Sequence, residues 1–198
     1  MALWVNMEID HILIFTQYGA PEAEVLKNFG FIEGQGNTHI GQGTKNRRFF
    51  FGNMFLELIW LENEEEAQSP VTQSTLLYER FTQESCPFGI CFRPSNTPKL
   101  NFETWDYKPA YLPEHLTIQL AKNNLLQEPM WFYASFLSAS TRQAPIIERV
   151  EITLPTPNQI QPATDLIIKQ GNEYLLTIKI KDSSAIYDCR PTLPLILV

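Results

Sequence analysis

Runs in which apolar and polar residues alternate with a period of two recur along the chain, separated by turn formers, which is the signature of strands with one buried face. The first covers residues 8–16, Glu8-Ile9-Asp10-His11-Ile12-Leu13-Ile14-Phe15-Thr16. Pro21 to Phe29 predicts a short helix, with proline in the first turn, acids at the positive end of the dipole and Gly30 as its stop. Phe31-Ile32-Glu33 reads as a strand, followed by a Gly/Asn/Gln-rich loop from Gly34 to Asn46. Arg47–Phe51 and Met54–Leu61 then make a hairpin across Gly52-Asn53, residues that tolerate positive φ. The order of this first stretch is β-α-β-β-β.

Glu62 to Gln68 is an acidic stretch of the kind that ends in solvent, and Thr75 to Gln83 reads as a second short helix. Gly89–Arg93, Leu116–Ala121 and Met130–Phe136 are expected strands between proline-rich loops. The end echoes the beginning: strand Ile147–Leu154, helix Asn158–Gln170 stopped by Gly171, strand Tyr174–Lys181 and a last strand Leu193–Val198. This second β-α-β-β order predicts a topological repeat. The expected organisation is a first module at 1–62, a divergent middle with extra strands at 63–146, and a second, degenerate module at 147–198, in one compact domain. The fold class is α+β. A doubly wound α/β fold lacks support, because Gly34-Gln35-Gly36 does not open a helix.

Composition narrows the function classes. In 198 residues there are 15 basic and 22 acidic side chains, a net charge of −7, which disfavours nucleic acid or an anionic membrane as partner. Cys86, Cys91 and Cys189 show no zinc spacing and read as reduced thiols, Cys91 as a core residue. No run approaches the roughly 18 apolar residues of a membrane span, and the first residues do not read as a signal peptide, so a cytoplasmic location is expected.

Two ionisable groups interrupt apolar strand faces. By strict alternation His11 shares a face with Ile9, Leu13 and Phe15, and Glu57 with Phe55, Ile59 and Leu61. Such groups are costly to bury unless paired, hydrogen-bonded or metal-bound. His11 and Glu57 are therefore expected to converge on one cleft, as metal ligands or as a hydrogen-bonded pair. His39, in a polar loop, is expected to face solvent, with a substrate contact as the alternative. Arg47 and Arg48 point to opposite faces of their strand, so one of them is expected to enter the cleft and fork onto a carboxylate or phosphate. Trp60 and Trp131 are candidate wall residues, and Phe49-Phe50-Phe51 reads mainly as core. No nucleophile elbow and no H-E-x-x-H zinc helix is present.

Ile9-Asp10-His11-Ile12, Phe55-Leu56-Glu57-Leu58 and the β-α-β-β-β order resemble the vicinal oxygen chelate superfamily, which includes glyoxalase I, extradiol dioxygenases and bleomycin-resistance proteins. Residues 39–51, Cys86-Pro87-Phe88-Gly89-Ile90 and Arg190-Pro191-Thr192-Leu193-Pro194-Leu195 resemble its glyoxalase-like domain proteins. The resemblance implies two fused β-α-β-β-β modules whose curved sheets enclose a cleft, and ligands to one divalent ion (Zn, Ni, Mn or Fe) from both modules. His11 and Glu57 match the first module's ligand positions. In the second, Arg149 falls opposite His11 and Leu195 opposite Glu57, and neither is a ligand, which leaves His115 as the candidate third. Glu57 is also the candidate catalytic base. The implied function is binding of a small oxygen-rich molecule, with metal-dependent lyase, isomerase or dioxygenase chemistry. The alternative is a metal-free binding or sequestering protein. The expected partner is a small-molecule ligand, and a homodimer is a compatible assembly.

Overall fold

The computed structural model describes residues 7–95, 102–140, 142–160 and 166–198. Two mixed β-sheets carry almost all of the regular structure, and the helices are short, so the molecule is richer in sheet than the sequence pattern implies. The first stretch folds as β1 (Glu8–Phe15), α1 (Ala23–Asn28), β2 (Glu33–Gly34), β3 (Thr38–His39), β4 (Thr44–Phe50) and β5 (Phe55–Leu61). β1 runs parallel to β5, β4 antiparallel to β5, and β2 antiparallel to β4. After α2 (Glu64–Ala67) and α3 (Leu77–Thr82) come β6 (Phe88–Arg93), β7 (Thr104–Tyr107), β8 (Ile118–Ala121) and β9 (Met130–Tyr133).

These later strands do not form a loose middle segment. β6 pairs antiparallel with β1, β9 runs parallel to β6, and β8 and β7 join antiparallel, completing one sheet in the order β2-β4-β5-β1-β6-β9-β8-β7, with β3 paired to β4. β6 with β9, β8 and β7 thus repeats the pairing of β1 with β5, β4 and β2. The cleft partner of the first module is residues 88–133, where the sequence pattern points to 147–198.

The C-terminal strands form their own sheet: β10 (Ile147–Leu154), β11 (Leu166–Gln170), β12 (Leu175–Ile180), β13 (Tyr187–Asp188) and β14 (Leu195–Leu197), in the order β11-β10-β12-β14-β13. Residues 166–170, expected at the end of a helix, are instead a strand, because Leu166-Ile167-Ile168 carries β-branched side chains onto β10 in parallel register. Part of that expected helix, residues 161–165, lies outside the described residues. The parallel, antiparallel, parallel, antiparallel pairings of this sheet repeat the series at the centre of the first.

Alternation assigns the two faces of the large sheet. Ile12, Ile14, Leu56, Leu58, Phe49, Phe51, Ile90, Phe92 and Trp131 pack in one core with Val150, Ile152, Leu176, Ile178 and Leu195 of the small sheet. Leu13, Ile59, Cys91, Leu120, Met130 and Phe132 form a separate cluster on the other face. The sheets are also tied by Asn53 at the β4–β5 turn. Its side chain accepts from Ile147 N (2.8 Å) and donates to Ile147 O (2.9 Å).

One irregularity sits at the centre of each sheet. The β1/β6 register shifts between Ile9 and His11, and the β10/β12 register shifts between Ile147 and Arg149. A bulge adds one residue on one strand and re-aims the side chains next to it. Ile9 therefore packs on the core side with Ile12, and Ile9 does not share the face of His11.

Candidate active site

The second face of the large sheet encloses a cavity of about 270 Å³. This is close to the lower end of the roughly 300–1,000 Å³ usual for small-molecule sites. Its walls are apolar, from Leu13, Phe55, Ile59, Leu120, Met130 and Phe132. Asp10, His11, His39, Gln42, Asn46, Arg48 and Glu57 group on one side.

Glu57, 5% exposed, anchors that group. Asn46, facing the cavity from β4, donates to Glu57 Oε1 at 2.6 Å. Glu57 Oε2 accepts no hydrogen bond among the described residues and faces His11 Nε2 at 3.5 Å. The bulge brings Asp10 to the same side as His11, where Asp10 Oδ2 lies 2.8 Å from His11 Nδ1. The His11 ring stacks on Phe55 at 4.5 Å between centroids. Burial works against the His11 imidazolium, yet its pKa stands well above the ordinary histidine value, raised by Cys91, Asp10 and Glu57 around it. Burial raises the pKa of the Cys91 thiol, and His11 beside it works in the opposite direction.

His39 is expected in solvent from the sequence, but it is 8% exposed and its Nε2 lies 3.9 Å from Glu57 Oε1. The loop that carries it is folded inward by α2. Glu66 accepts from Gly41 N at 2.6 Å and Gly43 N at 3.0 Å, so the acidic stretch is a loop anchor as well as a solvated end. Gly43 holds φ +78°, and a Cβ there would meet Asn63 O at 2.2 Å. Gln42 Nε2 donates to Thr44 Oγ1 (2.8 Å), and the same hydroxyl lies 2.8 Å from His39 Nδ1. His39 Nε2 is the ring nitrogen turned towards Glu57. Burial lowers the His39 pKa, so the ring is neutral. Tyr111 covers it at 4.8 Å between centroids.

Of the residues singled out by sequence, the structure brings His11, Glu57 and Arg48 to the cavity. Arg47 faces the other way, bonded to Glu33 (Nε to Oε1, 2.7 Å), Glu24 (2.8 Å) and Ala20 O (3.1 Å). Trp60 and Trp131 lie on the core face, Trp131 stacked parallel to Phe92, while Met130 and Phe132 beside it take the wall positions. His115 is exposed in the turn before β8 and does not line the cavity. Asp10, Asn46 and Gln42 line the cavity without being marked by the sequence pattern, and His39 lines it where the sequence favours solvent and keeps a substrate contact as the alternative. Asp10 depends on the bulge and His39 on the Glu66 anchor, neither of which alternation can show.

A divalent ion in the family's position does not fit this donor set. Among the described residues no group of three His, Cys, Asp or Glu side chains is placed to hold one. His11 Nδ1 is taken up by Asp10 and His39 Nδ1 faces Thr44, so each ring turns only its Nε2 towards Glu57, at 3.5 and 3.9 Å. The other half of the sheet offers one thiol and no imidazole or carboxylate at the matching strand positions: Cys91 stands opposite His11, and Phe132 pairs with Cys91 as Phe55 pairs with His11. Two residues beyond Phe132, at the position matching Glu57 after Phe55, is Ala134. In the small sheet the counterpart of Glu57 is Ile167 on β11, rather than Leu195, because Val150 pairs with Leu166 as Ile12 pairs with Leu56.

Residues 9–103, nearly half of the chain, match the model of the glyoxalase-like domain. Over that stretch the chain is glyoxalase-like, in keeping with the resemblance of its motifs to the vicinal oxygen chelate superfamily. Among solved structures it is similar over 97% of its length, and over 98% of the other chain, to a hypothetical protein from Staphylococcus aureus, with 15% identity and a TM-score of 0.59. A hypothetical protein from Bacillus halodurans shares 13% identity over 67% of this chain and 96% of its own, at a TM-score of 0.45. Methylmalonyl-CoA epimerase in complex with methylmalonyl-CoA and NH4+ shares 13% identity over 68% of this chain and 98% of its own, at a TM-score of 0.43. No curated protein sequence matches the chain. No helix among the described residues is long and apolar enough to cross a membrane.

Proposed function

We propose that the cavity binds a small oxygen-bearing molecule and that Glu57 moves a proton on it, an isomerase- or lyase-type step. The observation that carries this reading is the state of the Glu57 carboxylate. One oxygen is fixed by Asn46, and the other faces an apolar cavity with no hydrogen bond among the described residues. A base must be oriented and also reachable, and this arrangement supplies both. The His11 imidazolium beside it provides a positive edge for an oxygen on which negative charge gathers as a proton leaves the adjacent carbon. Asp10 keeps that ring charged and in place. No step is assigned to a metal.

A thermal-shift comparison of short hydroxy and keto compounds with apolar compounds of equal size tests the binding half of the proposal. A ligand at a hundredfold excess over its Kd stabilises by about 2.7 kcal/mol, a shift of roughly 5–10 °C for a chain of this size. Oxygen-bearing compounds are expected to stabilise the wild type, and to do so less in His11→Gln. Stabilisation by apolar compounds alone would contradict the proposal and favour a sequestering protein.

A further inference from the structure

The cavity does not end at Phe55. A second chamber of about 380 Å³ adjoins it, sharing Asp10, Phe55, Phe136 and Leu137 with the inner one. Phe50, Met54, Arg93, Ser138, Ser140 and Arg142 complete its wall. From the cations at its boundary we infer that this outer chamber is a subsite for an anionic group, so that the ligand is a two-part molecule with an oxygen-bearing head against Glu57 and a carboxylate or phosphate between Arg142, on the outer wall, and Arg48, on the wall of the inner cavity. The inference rests on the proposed ligand cavity and adds to it the charge class of what binds.

Three observations converge. The Arg142 guanidinium lies 3.9 Å from the centroid of the Phe50 ring, and that of Arg48 lies 5.3 Å from the same centroid. Neither makes an ion pair with an acidic side chain among the described residues. Arg48 donates to Gln35 O at 2.6 Å and Asn37 Oδ1 at 3.3 Å, both uncharged acceptors. Two like charges over one ring oppose each other unless an anion joins them. Burial lowers the Arg48 pKa, Glu57 raises it in part, and Arg142 lowers it further.

The backbone that follows Arg142 is held in place. Gly52 N donates to Pro145 O at 2.8 Å, Asn53 clamps Ile147, and a Cβ at Gly52 would meet Ala144 O at 2.7 Å. The segment that carries Arg142 thus lies directly on the β4–β5 turn. The third observation is Arg93, buried on the chamber wall with its Nε–H unpartnered among the described residues. Its other nitrogens are bonded to Glu8 (2.9 Å), Ile9 O (3.1 Å) and Asn53 O (3.0 Å), with Asp10 at 3.5 Å. The one carboxylate facing both chambers, Asp10, is already engaged by His11 and Arg93, so it does not neutralise Arg48 or Arg142. Planar guanidiniums suit carboxylate and phosphate oxygens alike.

Calorimetric titration with hexanoate, hexyl phosphate and hexanamide tests the subsite, on wild type, Arg142→Gln, Arg48→Gln and Glu57→Gln. Both anions are expected to bind wild type about tenfold or more tightly than the amide, and hexyl phosphate against hexanoate separates the two anion classes. Either arginine substitution is expected to remove most of that preference, while Glu57→Gln keeps it. Arg142 is exposed and stacks only at the rim, so its variant reports on the subsite even if Arg48→Gln fails to fold. Equal binding of the amide and both anions, or a preference unchanged in Arg142→Gln, would overturn the subsite while leaving the ligand cavity standing. Failure of all three probes to bind would overturn the subsite, while the thermal-shift comparison of hydroxy and keto compounds decides the cavity reading separately.

Discussion

Asp10 and His11 are consecutive residues on one strand, yet their side chains meet at 2.8 Å on the same side of the sheet. In a regular strand they would point to opposite faces. The bulge between Ile9 and His11 removes that opposition, and it turns a lone histidine into a carboxylate-held imidazolium beside Glu57.

The two cavity histidines are expected to act on stability in opposite pH ranges. His11 has a raised pKa in the fold, so its contribution is complete below the unfolded value near 6.5 and is lost as pH rises through the raised value. His39 has a lowered pKa, so its contribution is complete above about 6.5 and is lost as pH falls through the lowered value. Each slope can reach about 1.4 kcal/mol per pH unit. Denaturant midpoints measured from pH 5 to 9 should flatten on the alkaline side in His11→Gln and on the acid side in His39→Gln. Identical profiles for wild type and both variants would contradict the assigned protonation states.

The donor arrangement also predicts the metal content. Protein purified without a histidine tag should hold well under one equivalent of Zn, Ni, Mn or Fe, and adding each ion should leave the melting temperature unchanged. Elemental analysis that finds a stoichiometric ion, lost in His11→Gln, would show that the histidines give up their protons to a metal.

The sequence pattern identifies most strands and both halves of the His11–Glu57 pair, because period-two burial is a local property. It fails where a long-range contact decides. The Ile9-Asp10-His11-Ile12 and Ile147-Glu148-Arg149-Val150 segments both break strict alternation with two adjacent polar residues. That break is the visible mark of the bulges, although each segment also passes for ordinary strand. The inward turn of His39 depends on Glu66, over twenty residues away, and the pairing of β6 with β1 spans some eighty. Neither leaves a periodic trace. Likewise, Leu166-Ile167-Ile168 is equally apolar as helix or strand, and only the exposed edge of β10 selects strand.

Buried polar clamps away from the cavity should matter for stability. Arg80 is buried and donates to Glu128 O (3.0 Å), Leu125 O (2.9 Å) and Asn124 Oδ1 (2.7 Å), and burial lowers its pKa to about 10. Arg80→Ala leaves these acceptors unpaired and is expected to cost roughly 3 kcal/mol or more. Arg149→Ala, at an exposed ion pair with Glu151, should cost less than about 1 kcal/mol. Urea denaturation of the two variants checks the contrast, and equal losses would contradict it.

Proton transfer by Glu57 to or from a ligand in the cavity is directly observable as isotope exchange. The most direct measurement is proton NMR in D2O of a bound compound that carries a C–H beside a carbonyl, with wild type and Glu57→Gln at saturating ligand. Wild type is expected to exchange that proton for deuterium, and Glu57→Gln to slow the exchange by about 10²–10⁴-fold while still binding. Exchange at the same rate in both proteins, or none in saturated wild type, would contradict the account.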